Sequence, residues 1–162
     1  MIRSSLVLSG LLLIGGAVAH AQEAVVAVPD IEKAFTSPDP KLNANKQVAY
    51  KIMRDLLEAN HWDKAGDYLS KRYLQHNPNA KSGLDGVVYY FTQVAKRQPT
   101  PIPDKLHTKV AFVMAEGDLV TVATVREMKD SKGETYTTTW FDTWRFKDGK
   151  ADEHWDGATK LQ

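Results

Sequence analysis

The sequence predicts an α+β fold: a bent antiparallel sheet of about four main strands, covered on one face by three helices that come first in the chain. Three observations carry this. Apolar residues recur at near-helical spacing before Arg97 and alternate after Lys105. Gln98 to Asp104 holds three prolines and separates the two halves as a loop. Turn signals at Ala115-Glu116-Gly117-Asp118, Asp130-Ser131-Lys132-Gly133 and Lys147-Asp148-Gly149 divide the second half into consecutive strands.

The elements follow in order. Met1-Ile2-Arg3, the apolar run Leu6 to Val18 and Ala19-His20-Ala21 have the layout of a signal peptide over residues 1–21, cleaved after Ala21. The run is short and glycine-rich for a membrane span, and an uncleaved anchor is the alternative reading. Residues 22–42 carry scattered prolines and little periodicity, as a linker or loosely docked arm. The main domain is expected over residues 43–162. Its first helix is capped by Asn43 or Asn45 and runs to about Ala59, with Val48, Ile52 and Leu56 on one stripe and Ala49, Met53 and Leu57 beside it. A short helix over Asp63 to Leu69 follows, then a turn ending at Asn77-Pro78. Ser82 or Asp85 opens a third helix, which runs to about Arg97. The strands are Leu106 to Met114, Leu119 to Met128, Thr135 to Phe146 and Lys150 to Ala158.

Composition narrows the function. Without Arg3, basic and acidic side chains balance, and no basic patch favours nucleic acid. There is no cysteine, which removes thiol nucleophiles and cysteine metal sites. An export signal without cysteine fits a periplasmic or secreted location, with no membrane attachment after cleavage.

The third strand carries the chemistry. Tyr136, Thr138, Trp140, Asp142, Trp144 and Phe146 share one face, and Asp142 is its only carboxylate. Desolvation on an aromatic face disfavours the charged form, a condition useful for proton transfer. What lies opposite depends on the turn. A three-residue loop with Gly149 left-handed pairs Asp142 with His154 and Trp140 with Asp156, so that Asp142, His154 and Asp156 share a face. A two-residue Asp148-Gly149 turn pairs Lys147 with Lys150, sets Asp142 opposite Trp155 and sends His154 and Asp156 to the far side. The shared-face register is preferred, although it turns Asp152 inward and Ala151 outward unless the strand is bulged.

Tyr73-Leu74-Gln75-His76-Asn77-Pro78, Ala115-Glu116-Gly117-Asp118-Leu119-Val120, Asp142-Thr143-Trp144-Arg145-Phe146 and Gly149-Lys150 through Glu153-His154-Trp155-Asp156 together resemble the SnoaL-like family. The resemblance spans about Val48 to Asp156. It implies a cone-shaped α+β barrel of the nuclear transport factor 2-like type, usually a homodimer. Members include polyketide cyclases that close a ring by intramolecular aldol condensation, with a pocket aspartate as general acid/base. That aspartate maps to Asp156, and a second polar pocket position maps to Asp142, where the cyclases can carry histidine. Ala151 stands where a larger aliphatic residue is common.

The expected site therefore has Asp156 as general acid/base, with Asp142 sharing or tuning its proton and His154 relaying or orienting it. Tyr73, His76, Asn77, Trp140 and Trp144 are expected to bind substrate, a small carbonyl or cyclic organic molecule. Each has a plainer structural role: a strand-end or buried acid, a satisfied histidine, a turn-capping Asn77, core aromatics. No cofactor is expected. No metal is expected either, since no close ligand spacing such as H-x-x-x-H occurs. A non-catalytic small-molecule-binding protein and a dimeric module, using the outer face that bears Phe141, are the other readings.

Overall fold

The computed structural model of the protein describes residues 23–161. The signal peptide expected over residues 1–21 lies outside them. Helix α1 (Ile31–Ala34) is capped by Asp30, whose side chain accepts from the Lys33 N–H at 3.0 Å. Helix α2 (Pro40–Lys51) starts earlier than the asparagines suggest. Asp39 accepts from the Leu42 N–H and Pro40 occupies the first turn, a stronger start than Asn43 or Asn45 inside the helix. Ile52–Glu58 continues it with wider winding, the Ala59 N–H reaching back five residues to the Arg54 carbonyl. Ala49, Ile52, Met53 and Leu56 are the buried stripe. In the arm, Phe35 is fully buried and the Val28 N–H bonds the Val110 carbonyl at 2.8 Å.

A tight turn (Trp62–Lys64) and helix α3 (Ala65–Tyr68) lead into a strand that the pattern did not announce, β1 (Leu69–Gln75). Only Leu69 and Tyr73 are buried along it, so it lacks clear alternation. Its strand character comes from parallel pairing with the last strand, 80 or so residues away in sequence. Helix α4 (Leu84–Tyr89) begins after Gly83 and widens through Tyr90–Val94. Then come β2 (Val110–Glu116), β3 (Leu119–Lys129), β4 (Thr135–Lys147) and β5 (Lys150–Asp156). The five strands lie in the order β1-β5-β4-β3-β2 in one curved sheet. The antiparallel meander is as expected, and β1 adds the fifth strand at its edge. The helices cover the concave face, where Val120, Val122, Trp144, Phe146 and Ala151 meet Leu56, Trp62 and Val87.

The β4–β5 hairpin combines parts of both anticipated registers. Asp148 and Gly149 have φ of 50° and 75°, the two-residue turn, and Lys147 faces Lys150. Phe146 faces Ala151, but Arg145 faces Glu153. Asp152 is therefore an extra residue, a β-bulge. Its carboxylate is held by Ser70 Oγ (2.6 Å) and the Arg72 guanidinium of β1, while Ala151 turns into the core. Beyond the bulge Asp142 faces Asp156 and Trp144 faces His154. The expected pairs Asp142–His154 and Trp140–Asp156 are corrected by two residues, one from the tighter turn and one from the bulge within the strand. The shared face survives: Asp142, His154 and Asp156 all point inward.

Candidate active site

The inner face of the sheet and the two long helices enclose a cavity of about 670 Å³. Asp142, His154 and Asp156 line its floor, with Tyr73 and Trp144 beside them and Trp140 farther out. His154 and Asp142 are almost fully buried, and Asp156 is partly exposed.

The hydrogen bonds fix the orientation of the imidazole. Gln75 Oε1 accepts from the Asn77 backbone N–H at 3.1 Å, so this end of the amide is the oxygen. His154 Nδ1 lies 2.7 Å from the same oxygen and must donate to it. Nε2 then faces Asp142 Oδ1 at 3.1 Å. A neutral His154 needs a protonated Asp142 to complete that bond, and an ionised Asp142 needs an imidazolium. Either way, one proton sits between the two groups. Asp156 is held separately: Asn77 Nδ2 donates to Oδ2 at 2.7 Å and the Ala158 N–H to Oδ1 at 2.9 Å. One ligand atom from each of Asp142, His154 and Asp156 lies within 4.8 Å of the others, close enough for all three to serve one proton or to hold one divalent cation. His-x-Asp on a strand puts both side chains on one face, a ligand spacing that the helical H-x-x-x-H criterion overlooks.

Trp144 Nε1 donates to Tyr73 Oη at 3.1 Å inside the core. Burial pushes the Tyr73 phenol far above its ordinary range, and the carboxylates of Asp142 and Asp156 reinforce this, so it keeps its proton. With the oxygen accepting from Trp144, the hydroxyl hydrogen has no acceptor among the described residues. It is a donor available to a molecule in the cavity. Trp62, stacked on Phe91 with ring centroids 3.8 Å apart, also lines the cavity, and its buried Nε1 has no partner among the described residues.

The structure brings together Asp142, His154, Asp156, Tyr73, Asn77, Trp140 and Trp144. His76 is not with them. It stacks on Trp155 (5.1 Å) and bonds Glu153 (2.9 Å) on the outer face, because it follows the last β1 residue with the opposite direction to Gln75. Asn77 keeps its turn role through the Asn79 N–H and also anchors Asp156. Tyr73 contributes its hydroxyl as well as its ring. Gln75, which orients the imidazole, was missed. Its alternation with Tyr73 is the only sequence signal for it, and that signal is visible only once β1 is recognised.

Solved structures with the same fold include a proposed SnoaL-like polyketide cyclase from Jannaschia sp. CCS1, at TM-score 0.54 and 15% identity over 75% of this chain and 91% of that one. A proposed polyketide cyclase from Acidithiobacillus ferrooxidans matches at TM-score 0.53 and 14% identity, over 75% and 89%. A nuclear transport factor 2-like protein of unknown function from Burkholderia pseudomallei matches at TM-score 0.50 and 16% identity, over 72% and 91%. At such identities the likeness concerns the fold. No curated protein matches the sequence. The SnoaL-like domain family matches residues 51–154, from the end of α2 to the histidine on the cavity floor, and the chain belongs to that family.

Proposed function

We propose that the protein is a cofactor-free general acid/base enzyme acting on a small carbonyl or cyclic organic molecule by aldol-type cyclisation, isomerisation or dehydration. The observation that supports it most is the arrangement on the floor. A Gln75–His154–Asp142 chain of hydrogen bonds ends beside Asp156, which Asn77 and a backbone N–H hold in place. Asp156 takes the proton from the carbon next to the substrate carbonyl. The carbonyl oxygen gains negative charge and accepts a hydrogen bond from the Tyr73 hydroxyl. In a cyclisation the enolate carbon then attacks a second carbonyl, and Asp156 returns its proton to the new alkoxide. In an isomerisation the proton returns to a different carbon. His154 and Asp142 adjust the charge beside Asp156 by holding or passing the proton between them.

The test is Asp156→Asn assayed against a panel of small diketones and enones. The reading requires turnover to fall while folding and ligand binding persist. Retained turnover removes Asp156 from the chemistry, and ligand binding without turnover in the unmodified protein would favour a binding protein.

The setting is part of the same proposal. Export of the chain, cleavage after Ala21 and a periplasmic or secreted location rest on residues 1–21. Among the described residues no helix is long and apolar enough to cross a membrane. Pairing of two copies is proposed through the outer sheet face, where Phe112, Met114 and Phe141 are exposed and Phe112 lies 6.1 Å from Phe141.

A further inference from the structure

The described residues contain five arginines. Three are ion-paired: Arg54 with Asp55, Arg72 with Asp152, and Arg145 with Asp118 and Glu153. The remaining two, Arg97 and Arg126, have no carboxylate partner among the described residues, and both line the cavity. No lysine lines it. Arg97 follows the wide end of α4, and Arg126 lies on the inner face of β3. Both are exposed, so they stand at the mouth, whereas Asp142 and His154 are buried at the floor. The Arg126 guanidinium rests over the Trp140 ring at 4.1 Å, which holds it in place without neutralising it. The third carboxylate of the lining, Glu58, is occupied by the backbone of His107 and by the N–H and hydroxyl of Thr108, the last at 2.6 Å.

The cavity is therefore polarised along its length, with free guanidinium groups outside and carboxylates inside. We infer that its ligand is a flat molecule with an anionic group, a carboxylate or an equivalent oxyanion, which Arg126 and Arg97 hold at the mouth while the uncharged reacting end reaches the floor. The opposite orientation would set the anion against Asp142 and Asp156. Guanidinium groups suit carboxylates through paired N–H donors, and Trp140 offers a flat wall next to Arg126. The sheet supplies a ruler. Arg126 is four residues along β3 from Val122, which faces Asp142. At ~3.3 Å per residue, the charged and reacting ends of the ligand are separated by on the order of 10 Å, about the length of three fused rings.

This inference rests on the cavity being the ligand site of the proposed function, but not on the chemistry assigned to Asp156. The test uses 2-anthracenecarboxylate and 2-anthracenecarboxamide, two fluorescent probes of one shape that differ in charge, titrated into the full protein at low salt. The carboxylate is expected to bind at least tenfold more tightly than the amide. Arg126→Gln should remove most of that preference, Arg97→Gln a smaller part, and Lys129→Gln, a charge change on β3 outside the cavity, none. Added salt should weaken the carboxylate and not the amide. Equal affinities for the two probes, no binding of either, or an equal loss in Lys129→Gln would overturn the inference. Failure of the acid/base reading has a different signature: unchanged turnover in Asp156→Asn, with the preference for the carboxylate intact.

Discussion

The two faces of β5 carry the same kinds of side chain and put them to different uses. On the outer side Glu153 bonds His76 at 2.9 Å and Arg145 at 3.1 Å, and at the bulge Asp152 is held by Arg72 and Ser70. One residue on, His154 bonds Asp142 at 3.1 Å on the inner face. A carboxylate–histidine pair at hydrogen-bond distance thus occurs on both faces. The difference is the third partner. Outside, a guanidinium joins each acid. Hydrogen bonds from Arg72 and Ser70 hold the Asp152 carboxyl below its usual range, and those from His76 and Arg145 do the same for Glu153 despite partial desolvation. Inside, the partners are amides, a backbone N–H and an imidazole, none of which is a fixed positive charge. An acid bonded to arginine is held as its anion, and Asp142 and Asp156 have no such partner among the described residues.

The largest effect that bears on this contrast is expected from Asp156→Asn. Turnover should fall about 10²–10⁴-fold, the usual worth of a positioned acid/base, with the thermal midpoint little changed. The matching change outside, Glu153→Gln, should leave turnover within about twofold, since no proton passes there. Comparable losses in both variants would erase the distinction between the faces.

Tyr73→Phe sharpens the inner side. It removes the Tyr73 hydroxyl from the cavity lining and leaves Trp144 Nε1 unpaired. Turnover should drop about 10²-fold, and stability should fall by about 1–2 kcal/mol for the orphaned indole N–H. A stability loss with unchanged turnover would limit Tyr73 to packing.

Much of the site was legible before the fold was known, because strand alternation alone places Asp142 among Trp140, Trp144 and Phe146. The helix-then-meander order was legible for the same reason of period. Two misses share one cause. Leu69–Gln75 shows little alternation, and its pairing partner is at the far end of the chain, so β1 went unread. Without β1, nothing explained why Asp152 bulges toward Ser70 and Arg72, and nothing placed Gln75 against His154. His76 was read as a pocket residue because a turn, unlike a strand, assigns no face.

The outer acids make a pH prediction. Asp152 and Glu153 have lowered folded-state values, so the unfolded chain binds more protons near their ordinary values of about 3.9 and 4.3. Their stabilisation is present above that range and is lost as the pH falls through the folded values. Thermal midpoints should therefore decline below about pH 4. Asp152→Asn should flatten that decline and cost about 1 kcal/mol at neutral pH, a modest figure because Arg72 is largely exposed. An unchanged acid limb would show that the outer pairs do not stabilise the fold.

The smallest expected effect is none at all. Chelation of divalent ions should leave turnover as it was, the proton-transfer reading needing only side chains. A loss that an added divalent cation restores would convert Asp142, His154 and Asp156 from a proton site into a metal centre.

The extra residue at Asp152 makes the floor of the cavity a matter of parity. An even number of positions separates Asp142 from His154 and from Asp156, and the two-residue turn alone would send both outward; one odd step restores them. At identities near 15%, an alignment that omits the single gap due at Asp152 exchanges His154 and Asp156 for Glu153 and Trp155. Residue roles carried between relatives of this chain are therefore only as sound as the placement of that one gap, and the anchor for placing it is the contact between Asp152 and β1.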